Sequence, residues 1–247
     1  MNLLLLIESL KFHRVRQETA VRILFLLCTA VNAGVYFFPG SDPDLAGLFN
    51  ALQAASEGQM TMPTFTDGNL LFMGLSLAAA LITLICTFTY AALFAGGNED
   101  MPTRSILLGL LRALPLLAVC GVLLVVPAIF SVFLFFIPMI IVFLVLYFLP
   151  LNLILGRMRL SEAMAASFRD TRRARMVILL QYMMLMIVMN VPESLLLNVL
   201  PVSGVAVALI GAFFQAATAM MRGRLMGIFY LNLVKKVPVV IPSKPTV

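Results

Sequence analysis

Charged residues are scarce in this sequence. Asp, Glu, Lys and Arg together make up 11% of the 247 residues, whereas soluble domains contain about 25%. Hydrophobic residues reach 62%, and the mean hydropathy is +1.06. A soluble domain needs more polar side chains than this to cover its surface, so the composition excludes that class and predicts an integral membrane protein.

Residues that carry chemistry are also rare. The only histidine, His13, lies in a basic segment, and the three cysteines lie in apolar tracts without CxxC spacing. Such cysteines are expected to be packed thiols, not disulfides or metal ligands. GxSxG, P-loop and HExxH motifs are missing from the sequence, as is a nucleophile paired with a base. The sequence therefore predicts no metal site, no cofactor and no enzyme activity.

The bases are confined to short segments beside the apolar tracts, which favours a membrane protein over a nucleic-acid-binding protein. The loop between the first two tracts contains four acids and neither Lys nor Arg, as is typical of an outer face. All 17 Lys and Arg can then lie on or near the opposite, cytoplasmic face. This distribution predicts a plasma-membrane protein with both termini in the cytoplasm.

Six tracts are apolar enough to cross a bilayer, which takes about 20 helical residues. The expected fold is one all-α domain, a bundle of six transmembrane helices with short amphipathic helices at the interface. Residues 106–156 are too long for one crossing and suit two, with an outer turn near 127–131. The predicted spans are residues 20–38, 70–95, 106–127, 131–153, 176–192 and 204–222; the interfacial helices are 2–17, 43–57 and 161–175, and an extended tail covers 235–247.

Polar side chains within spans are candidates for function, because burying them in lipid costs free energy. The candidates are Arg112, Gln181, Asn190 and Glu193. Arg112 and Glu193 lie near span ends, where reaching the headgroups is the simpler interpretation and a functional role is the alternative. Gln181 and Asn190 suit hydrogen bonds between helices.

The segment 157–175 is the one plainly polar run between two long apolar tracts. Glu162 in its first turn favours a helix start, with Ser161 expected as the cap. The resulting basic helix is expected to fix the topology and to contact anionic lipid headgroups. The alternatives are that it binds a membrane or cytoplasmic protein, or that the protein forms a homo-oligomer. Its six arginines are Arg157, Arg159, Arg169, Arg172, Arg173 and Arg175.

Three short motifs carry a resemblance over residues 106–234: GVLLVVP at 121–127, LSEAMAASFR at 160–169 and FYLNL at 229–233. The chain resembles bacterial multi-pass membrane proteins related to the membrane domain of glycerophosphodiester phosphodiesterases. It departs from them at Ala128, where glycine is usual, and at Asn232, where aspartate is usual. The chain has no phosphodiesterase domain, so no catalytic residue carries over. A complete membrane topology without a catalytic set of residues predicts a non-catalytic membrane protein, an accessory or partner component in envelope or transport processes.

A second resemblance comes from Glu162-Ala163, which is similar to the start of the cytoplasmic coupling loop of ABC importer permeases. The glycine and the later Ile-x-Leu-Pro of that loop are missing here. The alternative function is therefore a membrane subunit of an ABC-type transporter, coupled to a cytoplasmic ATPase through the 161–175 helix.

Overall fold

A computed structural model describes residues 3–45, 47, 50, 53–54, 64–124, 131, 137–199 and 204–237. Within these residues the protein is helical and contains no strand. A π-helical turn, Tyr230–Lys235, follows the last α-helix. The α-helices are α1 (Leu3–Leu10), α2 (Glu18–Phe37), α3 (Asp67–Asn98), α4 (Thr103–Leu123), α5 (Ile137–Val145), α6 (Leu149–Ile154), α7 (Leu160–Thr171), α8 (Arg175–Val199) and α9 (Gly204–Phe229).

Six helical stretches are long and apolar enough to cross a membrane, with α5 and α6 together forming the fourth and the π-helical turn extending the sixth. The prediction of an all-α bundle with six such helices is confirmed. Their exposed surfaces are apolar: Leu77, Leu111 and Val122, for example, are 64%, 62% and 71% exposed. Large apolar side chains on the outside suit contact with lipid.

Several helices extend beyond the predicted span limits. The 32 residues of α3 rise about 48 Å, more than the roughly 30 Å of the hydrocarbon layer. α8 runs through Pro192 to Val199, although a break was predicted at 192. A proline removes one helical hydrogen bond without ending a membrane helix, because neighbouring structure can compensate locally.

α9 lies at the centre of the bundle and packs against α1, α2, α3 and α8. Small residues allow the close approach to α3. A Cβ at Gly223 would lie 2.6 Å from the carbonyl oxygen of Thr87, and one at Gly227 would lie 2.6 Å from the Phe94 ring. Glycine at these two positions therefore sets the distance between α9 and α3.

The basic segments meet at one end of the bundle, which we call the basic end. Arg16 forms an ion pair with Asp100 in the turn between α3 and α4. Lys235 pairs with Glu99 of the same turn at 2.8 Å. These contacts join the N-terminal segment and the C-terminal turn to the α3–α4 connection.

The opposite end is acidic where it is described. The Asp42 amide donates to the Gly68 carbonyl at 3.1 Å, and the Asn69 side chain donates to the carbonyl oxygens of Asp42 and Asp44 at 3.0 and 2.8 Å. These bonds tie the residues after α2 to the start of α3.

The interfacial helix predicted over 2–17 is shorter in the structure, where α1 ends at Leu10 and residues 11–17 form turns. It packs on α9 and α8, with Leu6, Glu8 and Ser9 buried, so much of it contacts protein. The helix predicted over 161–175 is α7 followed by a turn. Most of the predicted 43–57 helix, all but one residue of the outer turn at 127–131 and most of the tail at 235–247 lie outside the described residues.

Candidate functional site at the basic end

α7 is held on the bundle by its small side chains. Ala163, Ala166, Ser167 and Thr171 are buried and face the fourth span, where α5 and α6 are separated by a turn at 146–148. The Ser167 hydroxyl accepts from the Phe148 amide at 3.1 Å and donates to the Val145 carbonyl at 2.7 Å. It thereby satisfies two backbone groups that the break leaves without helical partners.

The start of α7 differs from the prediction. The helix begins at Leu160, one residue earlier than expected, so Ser161 is inside it and is not the cap. The Glu162 carboxylate instead accepts from the Arg159 amide at 3.3 Å. A carboxylate in the first turn also favours the positive end of the helix dipole, as the sequence suggested.

The outer face of α7 and its flanks form a basic surface. Arg169 pairs with Asp170 at 3.3 Å. Arg175 is half-buried: its guanidinium lies 4.6 Å from the centre of the Phe168 ring and donates to the Phe168 carbonyl at 3.3 Å. Phe168 itself is 51% exposed. Five of the six predicted arginines are exposed: Arg169 on α7, Arg157 and Arg159 before it, and Arg172 and Arg173 in the turn after it. Together with Arg175 they are called the α7 arginine surface.

A buried ion pair lies nearby and was not predicted from the sequence. Arg224 of α9 is 1% exposed and donates to the Glu8 carboxylate and to the Arg14 carbonyl, both at 2.8 Å. Its guanidinium also lies 4.7 Å from the centre of the Phe94 ring. The pair attaches α1 and the segment after it to the last span.

Glu8 is the acidic half of this pair and also bonds Lys11 at 3.0 Å. Burial alone would raise the pKa of Glu8. The hydrogen bonds and positive charges of Lys11 and Arg224 outweigh burial, so the pKa is lowered from its ordinary value. Glu8 is therefore held as a carboxylate.

The intramembrane candidates do not form one site. Gln181 of α8 is buried towards the bundle, whereas Asn190 on the same helix is exposed. Glu193 is half-buried near Gly211 of α9, where a Cβ would lie 3.8 Å from its carboxylate. Arg112 is exposed on α4. Each of the four thus has its own surroundings.

Three arginines from different spans, Arg22, Arg112 and Arg222, share about one depth. Ile106 of α4 packs against Gly96 of α3. The two helices are antiparallel, so six residues further into the bundle, about 9 Å, Arg112 of α4 lies level with Tyr90 of α3. Tyr90 packs on α9 beside Arg222, and its hydroxyl donates to the segment that leads into α2. Arg112 thus lies level with Tyr90, near the middle of the 21-residue helix α4, and the headgroup interpretation stays a prediction.

The cysteines are packed thiols, as predicted. Cys28, Cys86 and Cys120 are buried and are not in disulfides. The Cys28 thiol lies 3.6 Å from the Thr83 hydroxyl, to which the Asn32 amide also donates at 2.9 Å. These polar contacts connect α2 with α3.

Comparison with known proteins gave no match: no protein-family model, no curated protein and no solved structure matches this chain. The two resemblances noted in the sequence therefore stay predictions. The fold itself defines the class, a helical protein with six stretches suited to crossing a membrane.

Proposed function

We propose that this protein is a multi-pass component of the plasma membrane, with both termini in the cytoplasm, and that it acts by binding and not by catalysis. In this proposal the basic end faces the cytoplasm. The α7 arginine surface contacts anionic lipid headgroups and presents its outer arginines to an acidic surface of a partner protein. The protein would then be an accessory component in an envelope or transport process.

The observation that carries the proposal is the rigid presentation of these arginines. Ser167 and the other buried side chains fix the inner face of α7, while five of the six arginines on the helix and its flanks are exposed. A helix docked in this way loses little conformational freedom when a partner binds, which favours binding. The exposed Phe168 beside Arg175 suits the boundary between headgroups and acyl chains.

The positive charge of the segment 157–175 also supports contact of the basic end with anionic lipid. The segment 157–175 holds six arginines and two acids, and each base near an anionic membrane surface contributes about 1 kcal/mol. The layer formed by Arg22, Arg112 and Arg222 lies 18 helical residues from the start of α9 at Gly204, about 27 Å. This is close to the thickness of the hydrocarbon layer.

Charge reversal at Arg172 and Arg173 tests the proposal. Both residues are exposed, so the double variant Arg172→Glu, Arg173→Glu is expected to insert and fold normally. We expect a partner that co-isolates with the natural protein after gentle solubilisation to be lost from this variant. Arg104→Glu is the matched control, because Arg104 is exposed at the start of α4. Its neighbour Ser105 contacts Arg157, which precedes α7, whereas Arg172 and Arg173 follow α7.

The identity of the partner then decides the kind of process. A co-isolated cytoplasmic ATPase that is lost on charge reversal would favour the transporter subunit over the accessory component. Isolation of the natural protein alone, with no partner affected by the reversal, would contradict docking at α7.

A further inference from the structure

A groove of about 300 Å³ lies between the N-terminal segment and α2. Phe12, Val21, Phe25 and Leu26 supply its apolar lining, and the rings of Phe12 and Phe25 stack with centres 5.8 Å apart. Its volume is at the lower end of the range typical of small-molecule sites, about 300–1,000 Å³. The space suits part of an acyl chain.

The polar rim of the groove is basic on balance. His13, Glu18 and Arg22 line it, and Arg14 is exposed on the segment that forms one wall. Arg22 pairs with Glu18, yet its side chain is 74% exposed, so solvent or a headgroup can reach the guanidinium. Two arginines against one carboxylate favour an anionic headgroup.

The groove also opens at the depth that the proposed membrane placement gives to the lipid headgroups. Arg22 belongs to the layer that also contains Arg112 and Arg222, and Leu26, one turn further along α2, is 65% exposed. A phosphate beside Arg22 would therefore lie at the headgroup level while the chain below it contacts Leu26. This orientation is the one that a phospholipid has in a bilayer.

The wall opposite α2 is preformed. The Tyr90 hydroxyl donates to the Phe12 carbonyl at 2.5 Å, and the buried Arg224 donates to the Arg14 carbonyl at 2.8 Å. These bonds fix the segment that closes the groove, so a ligand does not have to order it. A preformed site loses less free energy on binding than a mobile one.

We infer that this groove binds one anionic phospholipid, with the phosphate at Arg22 and His13 and an acyl chain along Val21, Phe25 and Leu26. The inference rests on the proposed membrane placement and adds a specific lipid site to it. The bound lipid would lie next to residues 11–17, the segment that follows α1.

The absence of tryptophan allows a direct test by fluorescence. Leu26→Trp places a single tryptophan at the groove. Leu84→Trp on α3 is the matched control, because Leu84 is 48% exposed and follows Thr83, which contacts Cys28 on α2. The two tryptophans therefore lie at nearly the same depth on different surfaces.

Each variant is reconstituted into vesicles of phosphatidylcholine and phosphatidylglycerol in which one or the other carries brominated chains. In the Leu26→Trp protein we expect brominated phosphatidylglycerol to bind about fivefold more strongly than brominated phosphatidylcholine, the preference expected for one added base. In the Leu84→Trp protein no preference is expected. Adding Arg22→Gln to the Leu26→Trp protein should remove the preference, and adding Arg104→Gln should leave it unchanged.

Equal quenching by both lipids in both proteins would overturn the lipid site while leaving the membrane placement intact. A preference that survives Arg22→Gln would also overturn it. Failure of any brominated lipid to quench either tryptophan would overturn the membrane placement together with the site.

Discussion

Removal of the Glu8 carboxylate should release α1 from the bundle. In Glu8→Ala, the buried Arg224 would lose its carboxylate partner and keep neutral neighbours, among them the Arg14 carbonyl, the Phe94 ring and the Tyr90 hydroxyl. Breaking a buried pair by removing one partner costs about 3–5 kcal/mol. The Glu8 side chain keeps 10% exposure, so the lower end, about 3 kcal/mol, is appropriate. That loss raises the undocked population about a hundredfold.

Hydrogen exchange read by mass spectrometry on the peptide covering residues 3–17 measures this population, because local opening controls amide exchange. Lys11→Ala is the control. Its side chain is 33% exposed in the pair with Glu8, so its loss should cost less than about 1 kcal/mol and change exchange less than about fivefold. The double variant Glu8→Leu, Arg224→Met should recover most of the protection, because no charge is left buried.

Two results would contradict this prediction: Glu8→Ala exchanges as slowly as the natural protein, or Lys11→Ala has the larger effect. Either result would mean that the buried pair does not hold α1 in place.

The other predictions concern acid, the fourth span and helix packing. Because the pKa of Glu8 is lowered in the docked state, the undocked state binds more protons. Docking of α1 should therefore be at full strength above the ordinary pKa of 4.5 and should weaken as the pH falls below it. The measurement is faster hydrogen exchange in the same peptide. Ser167→Ala should cost about 1–3 kcal/mol, since it leaves buried backbone groups unpaired, and should lower the unfolding temperature in detergent, whereas the exposed Ser161→Ala should change it little. Gly223→Ala should lower that temperature too, because its Cβ would meet the Thr87 carbonyl oxygen at 2.6 Å, whereas Gly34→Ala, with nothing within 4 Å, should be neutral or stabilising.

Span number and fold class could be predicted because both depend on local properties. Each tract is about as long as a bilayer crossing requires, and hydropathy is read within a single window. The even number of crossings within residues 106–156 was predicted from the length of the tract and from the arginines at both of its ends. Arg112 lies level with Tyr90, and its placement near the headgroups stays a prediction.

The contacts of the basic end could not be predicted in this way, because they join distant parts of the chain. Glu8 and Arg224 are 216 residues apart, and in the sequence each is an ordinary charge beside an apolar tract. The one available signal was Glu8 itself, the single charged residue of the first helix. Likewise, the role of Ser167 depends on a helix break 19 residues away, which hydropathy does not detect.

The ends of the helices could also not be predicted from composition. Pro192 favours a break in a soluble helix, yet α8 continues past it to Val199. The continuation of α9 into the π-helical turn is stabilised by burial of Tyr230 and Leu231 against other elements, which is a property of the assembled bundle.

The side of the membrane on which the basic end lies is the most direct test of the account. Arg172→Cys and Thr64→Cys place single exposed thiols at the basic end and next to the start of α3, while the natural cysteines are buried and should react slowly. A membrane-impermeant maleimide added to intact cells should label Thr64→Cys at once and Arg172→Cys only after the membrane is opened. Labelling of Arg172→Cys in intact cells, or of both thiols from the same side, would contradict the proposed topology.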